Sequence, residues 1–217
     1  MTDQTDDYAE DEAGGDIELI GAERLIFFSD AVVAIAITLL VLGLPLPHGT
    51  TNAAVLRSMR AALDAYLPFL ISFVVIGAYW RAHHRLFQYV TRLDARLITI
   101  NMAWLLMIII SPWATRVLSG GAGHSFGVRF SIYASVQVVT MVTLVVMARH
   151  IRDHQLLRPG APATSAPDII LLAVAATFAI SIPIAIATES EWTFVVWVAA
   201  VGVARTIRRV RGTLGRG

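Results

Sequence analysis

The feature that most constrains this chain is the recurrence of apolar runs of bilayer length. The first is residues 24–44, RLIFFSDAVVAIAITLLVLGL. A run of about 20 apolar residues crosses the ~30 Å hydrocarbon core as an α-helix, whose backbone polar groups all bond within the segment. Further apolar segments lie at Ala61–Trp80, Leu97–Thr115, Phe130–Ala148, Ile169–Thr188 and Trp192–Ala204. With 56% of residues hydrophobic and 15% charged, little chain remains for a soluble domain. The pattern predicts an all-α polytopic membrane protein with six transmembrane helices. The last segment is short. Its 13 residues rise roughly 20 Å, so it borrows flanking residues or crosses a thinned region.

Arginine placement gives the sidedness. Twelve arginines fall in the loops after the second and fourth segments and in the C-terminal tail, against Arg57, Arg60, Arg116 and Arg129 on the other side. The positive-inside rule then puts both termini in the cytoplasm and supports an even number of crossings. Residues 1–20 are acidic and lack a basic n-region, so they are read as a disordered, solvated tail and not as a signal peptide. Residues 21–208 form the membrane domain, and 209–217 a basic tail.

Several function classes drop out. A net charge of +1 offers no electrostatic case for nucleic acid. The absence of cysteine removes disulfides, thiolate nucleophiles and cysteine metal sites. His150 and His154 have the i,i+4 spacing of zinc ligands but no evident third ligand. No serine–histidine–acid pattern indicates an enzyme, no cofactor is implied, and no TVGYG-type carbonyl filter is present.

The polar residues of the first segment are the informative ones. On a helical wheel Ile35, Leu39 and Leu42 form one aliphatic stripe with Thr38 beside it, while Asp30 lies on a different face with Ala34, Ile37 and Val41. Spacing alone fits two readings of the stripe, lipid or bundle packing and an aliphatic pore constriction that closes by dewetting. Ser29-Asp30 is read either as a helix N-cap or as an acid within the span that needs a partner. Candidate partners lie at the same membrane depth, in YWRAHHRLF at the end of segment two and at Asn101 in segment three. Trp80 and His84, four apart, share a face. A hydrogen-bonded cluster of Ser29, Asp30, Trp80, His84 and Asn101 is therefore expected.

Arg24 to Asp30, read as R-x-x-x-F-S-D at the entry to the first of six spans, resembles the signature of the transmembrane protein 175 (TMEM175) family of potassium channels in its prokaryotic single-repeat form. The span count, the inside termini, YWRAHHRLF and Asn101 fit the same resemblance. It implies a homotetramer in the plasma membrane of a prokaryote, with the first helix of each subunit lining a central pore for K+. Ile35, Leu39 and Leu42 would fall on the pore-lining positions, with Ile35 the narrowest ring and Thr38 the hydroxyl that tunes ion preference. Arg24, Phe28, Ser29 and Asp30 would belong to a structural network behind the pore. The competing expectation is a proton-coupled secondary transporter using Asp30 and His84, for which an internal repeat or broken helices would be the sign.

Overall fold

The computed structural model describes residues 3–120, 125–158 and 166–188. Among these residues six helices follow one another: α1 (Asp3–Val41), α2 (Asn52–Ala61), α3 (Leu63–Phe87), α4 (Ala95–Ser119), α5 (Phe126–Asp153) and α6 (Ala166–Thr188). Four contain stretches long and apolar enough to cross a membrane, namely Gly21–Val41, Leu63–Phe87, Ala95–Ser119 and Phe126–Asp153, and Ala175–Thr188 is a shorter apolar helix. These coincide with the first five predicted segments. The sixth, Trp192–Ala204, and the basic tail 209–217 lie outside the described residues.

Two features depart from expectation. Residues 3–20, expected as an irregular tail, have helical backbone continuous with the first span. The span supplies the costly helical nucleus, so each further turn only has to propagate. The acids also sit at the N-terminal, positive end of the helix dipole. The second departure is α2, which occupies what the sequence presents as a plain loop. Thr51, in extended backbone, caps it by accepting a hydrogen bond from the Ala54 amide at its hydroxyl (3.2 Å).

The bundle is held by apolar stripes at helical spacing. α1 buries Ala22, Ser29, Val33, Ala36 and Leu40, and this face meets α3 and α4. α3 buries Pro68, Ser72, Ile76, Tyr79, His83 and Phe87. α4 packs on α5, and α5 on α6. At the last of these contacts a Cβ on Gly127 would stand 2.9 Å from the Ile186 Cα and 3.0 Å from the Ala185 carbonyl oxygen. Only glycine allows the two backbones that approach, the small-residue packing used between helices in lipid.

Polar groups are knitted into this core. Ser72 Oγ lies 3.1 Å from the Tyr133 hydroxyl and 2.8 Å from Thr115 Oγ1, joining α3, α4 and α5. Asp94 marks the start of α4. Its Oδ1 accepts from the Leu97 amide at 2.6 Å, and its Oδ2 lies 2.7 Å from His150 Nε2 on α5. Partial burial pushes the Asp94 carboxyl up. The Leu97 amide, the His150 ring and the charges of His150 and His154 outweigh that and hold it below its ordinary value.

Candidate functional site

α1 has two unlike faces. The buried one carries, apart from Leu40, small or β-branched side chains, which let α3 and α4 come close. The other leaves Ile35 59%, Leu39 42% and Leu42 76% exposed, with Thr38 exposed beside them. An aliphatic row this bare within one protomer is covered by something beyond it, whether lipid or another copy. Thr38 Oγ1 donates to the Ile35 carbonyl at 2.7 Å. The hydroxyl proton is thus engaged with the helix, and the oxygen lone pairs are left on the exposed side.

Behind this face lies a hydrogen-bonded chain. Ser29 Oγ donates to the Leu25 carbonyl at 2.8 Å and accepts from Asn101 Nδ2 at 3.0 Å. The Asn101 Oδ1 lies 2.8 Å from His83 Nε2. An amide oxygen can only accept, so Nε2 carries the proton of the neutral ring and Nδ1 holds the lone pair. Among the described residues Nδ1 has no hydrogen-bond partner. The ring is stacked between Trp104, 4.3 Å away centroid to centroid, and Phe87, 4.4 Å away. Ser29, His83 and Asn101 are all fully buried. Beside this chain, Trp80 Nε1 donates to Asp30 Oδ1 at 2.8 Å, and His84 Nδ1 stands 3.9 Å from Asp30 Oδ2. Two links therefore tie α1 to its neighbours at one level. One is buried and neutral, the other half-exposed and acidic.

The expected cluster of Ser29, Asp30, Trp80, His84 and Asn101 is thus brought together. His83 is the member that the sequence reading passed over, and it is the most buried of the histidines described, at 0% exposed. A signal was present. His83 continues the stripe Ser72, Ile76, Tyr79, Phe87 at steps of three and four, which marks the core face of α3, whereas His84 falls one step off it. Arg24 and Phe28 are not drawn in. Both are exposed, Phe28 at 52%, and among the described residues Arg24 makes no hydrogen bond or ion pair. The rings of His150 and His154 lie 4.1 Å apart centroid to centroid, tilted by 33°, and no group of three or more metal-binding side chains forms among the described residues.

Fold and site together define an α-helical, multi-pass membrane protein, braced around its first helix. Comparison with known proteins narrows this. The family described as "Endosomal/lysosomal potassium channel TMEM175" matches residues 24–112. A potassium channel of Streptomyces collinus is 33% identical over 154 residues, covering 67% of this chain and 73% of that one. The crystal structure of a lysosomal potassium-selective channel TMEM175 homolog from Chamaesiphon minutus superposes with a TM-score of 0.65 at 25% identity, covering 91% of this chain and 99% of that one. The endosomal/lysosomal proton channel TMEM175 of Danio rerio is 24% identical over 127 residues, 58% of this chain and 24% of that protein. This chain belongs to the TMEM175 family, a family of ion channels and not of enzymes.

Proposed function

We propose that this protein is a potassium-permeable cation channel of a prokaryotic plasma membrane, built from four copies around one axis, with α1 of each copy lining the pore. Ile35 closes the neck as a ring of aliphatic side chains, followed by Leu39 and Leu42. The observation that carries the reading is the row of aliphatic side chains left bare on α1, opposite the face that the bundle buries. A dry aliphatic neck holds back ions because it offers no ligands to replace hydration, and a small outward shift of the helices wets it. Thr38 supplies the polar atom nearest this row. Its outward lone pairs offer partial replacement of an ion's hydration shell, which favours K+ over Na+ through the lower dehydration cost of K+. In this reading residues 21–208 are the channel domain with six crossings, both termini are cytoplasmic, and 1–20 and 209–217 flank it as acidic and basic extensions.

A second reading concerns protons. The Danio rerio relative is described as a proton channel, and Asp30 and His84 lie 3.9 Å apart with His84 exposed. An acid and an imidazole at that distance in a partly open site suit proton relay, in a channel or a proton-coupled transporter. The reversal potential in planar bilayers, with K+ on one side and Na+ on the other, separates these. A reversal near the potassium equilibrium potential, absent from protein-free bilayers, supports the channel. Flux that saturates and moves protons in fixed ratio overturns it in favour of the transporter.

A further inference from the structure

α2 is the one described helix that buries no residue at all, and its sequence, NAAVLRSMRA, is amphipathic. Ala54, Val55, Ser58 and Ala62 are half-buried along one side, where Ser58 Oγ accepts from the His48 amide at 3.0 Å. The side turned away carries Leu56, 54% exposed, and Met59, 41% exposed. On the wheel Arg60 lies about 40° from Leu56, and Arg57 about 100° from Leu56 on the side away from Met59; both are exposed. Neither arginine makes a hydrogen bond or ion pair to a described residue. Asp64, the nearest acid in sequence, pairs with neither.

Position supplies the rest of the argument. α2 is separated from the membrane-crossing α3 by Ala62 alone, whose φ of −96° and ψ of 6° break the helix there. It therefore sits at the end of a span, at the depth where hydrocarbon gives way to headgroups, without continuing that span. Beyond the break, α3 carries exposed leucines of its own, Leu63 (60%), Leu67 (52%) and Leu70 (56%). Two aliphatic side chains are a small area for a protein partner to hold. They suit shallow insertion beside lipid, and guanidinium groups at their margin suit phosphate. We propose that α2 is an interfacial helix that docks on the membrane surface, inserting Leu56 and Met59 while Arg57 and Arg60 bind the phosphates of anionic lipids. The proposal rests on the multi-pass membrane placement and does not depend on conduction.

The chain contains no cysteine, so single labels are clean. The full-length protein is made as Met59→Cys and, separately, Ala61→Cys, the latter exposed on the opposite side of α2. Each carries an environment-sensitive nitrobenzoxadiazole group and is reconstituted in phosphatidylglycerol or phosphatidylcholine vesicles. The label at 59 is expected to be quenched by shallow spin-labelled lipid and shielded from acrylamide, more so in phosphatidylglycerol. The label at 61 shows the reverse. Adding Arg57→Gln with Arg60→Gln lowers the docked-to-undocked ratio at 59 by about tenfold or more in phosphatidylglycerol and leaves it unchanged in phosphatidylcholine. An unaltered elution profile in detergent checks that this variant is assembled. Acrylamide quenching at 59 in both lipids overturns the proposal in favour of a solvated helix. Shielding at 59 from both acrylamide and spin-labelled lipid overturns it in favour of a contact between copies.

Discussion

The two faces of α1 use opposite strategies within one helix. The buried face is held by specific bonds at one level, where Ser29, Asn101 and His83 form a chain of donors and acceptors. Above that level it is held by close packing of Val33, Ala36 and Leu40. The other face makes almost no use of this protomer. Ile35, Leu39 and Leu42 are large, apolar and bare, and Thr38 satisfies its own proton on its own helix. The difference teaches that fixing the helix and presenting its open face are separable tasks. Buried polar bonds fix the rotation of α1 about its axis, because an amide out of register leaves several groups unpaired at once. That rotation in turn decides which side chains are presented to whatever lies on the open side.

The sharpest way to break this comparison is Asn101→Ala. It removes the donor to Ser29 Oγ, which keeps its own bond to the Leu25 carbonyl, and the acceptor of His83 Nε2, and a buried group left unpaired costs about 1–3 kcal/mol. Thermal unfolding of the purified protein in detergent should drop markedly, and assembly should weaken. A variant as stable as the parent would show that the chain does not hold α1. Ile35→Asn probes the other face. Stability should change within about 0.5 kcal/mol, since the residue is largely exposed within the protomer. Ion leak in bilayers should rise by about tenfold, equivalent to about 1.4 kcal/mol off the barrier, with poorer selectivity. Unchanged current would remove Ile35 from the constriction.

Thr38→Val is expected to do less. It keeps the shape and deletes the oxygen, so the K+-to-Na+ permeability ratio should fall by a few-fold, a fraction of the ~1.4 kcal/mol that marks a tenfold change. An unaltered ratio would clear the hydroxyl of any role in ion preference. The smallest effect is expected where α4 begins. Asp94 is held below the usual carboxylate range, so its contribution is fully present above its unfolded value of about 3.9 and is lost as the pH falls through the lower folded value. Stability against pH should show an acid limb below about pH 4 that Asp94→Asn makes shallower, because the variant has already lost this contribution at neutral pH and differs least from the parent in acid. Limbs of equal slope in both proteins would mean that the contacts to Leu97 and His150 add no stability.

Much of this was legible in the sequence, and the reasons are local. Apolar length announces a span whatever surrounds it, because lipid leaves the backbone no alternative to the helix. Five of the six predicted segments coincide with observed apolar helices for that reason. The stripe of Ile35, Leu39 and Leu42 followed from helical periodicity. The resemblance carried by RLIFFSD identified the family. Membrane depth grouped Ser29, Asp30, Trp80, His84 and Asn101 before any distance was known, since a span fixes how deep each residue lies.

What the tertiary structure alone decided was rotation and partnership. Periodicity places His83 and His84 on different faces of α3 but does not say where α4 stands. Only its position put His83 against Asn101 and Trp104 and left His84 in the open beside Asp30. The same holds for Asp94 and His150, 56 residues apart, and for the backbone approach that requires Gly127. The helicity of α2 escaped because ten residues give too few turns for a strong periodic signal, and its cap on Thr51 is a matter of geometry. A sequence sets each helix's length, depth and apolar faces through short-range chemistry. Which faces meet depends on how all the helices pack at once, and no single helix carries that information.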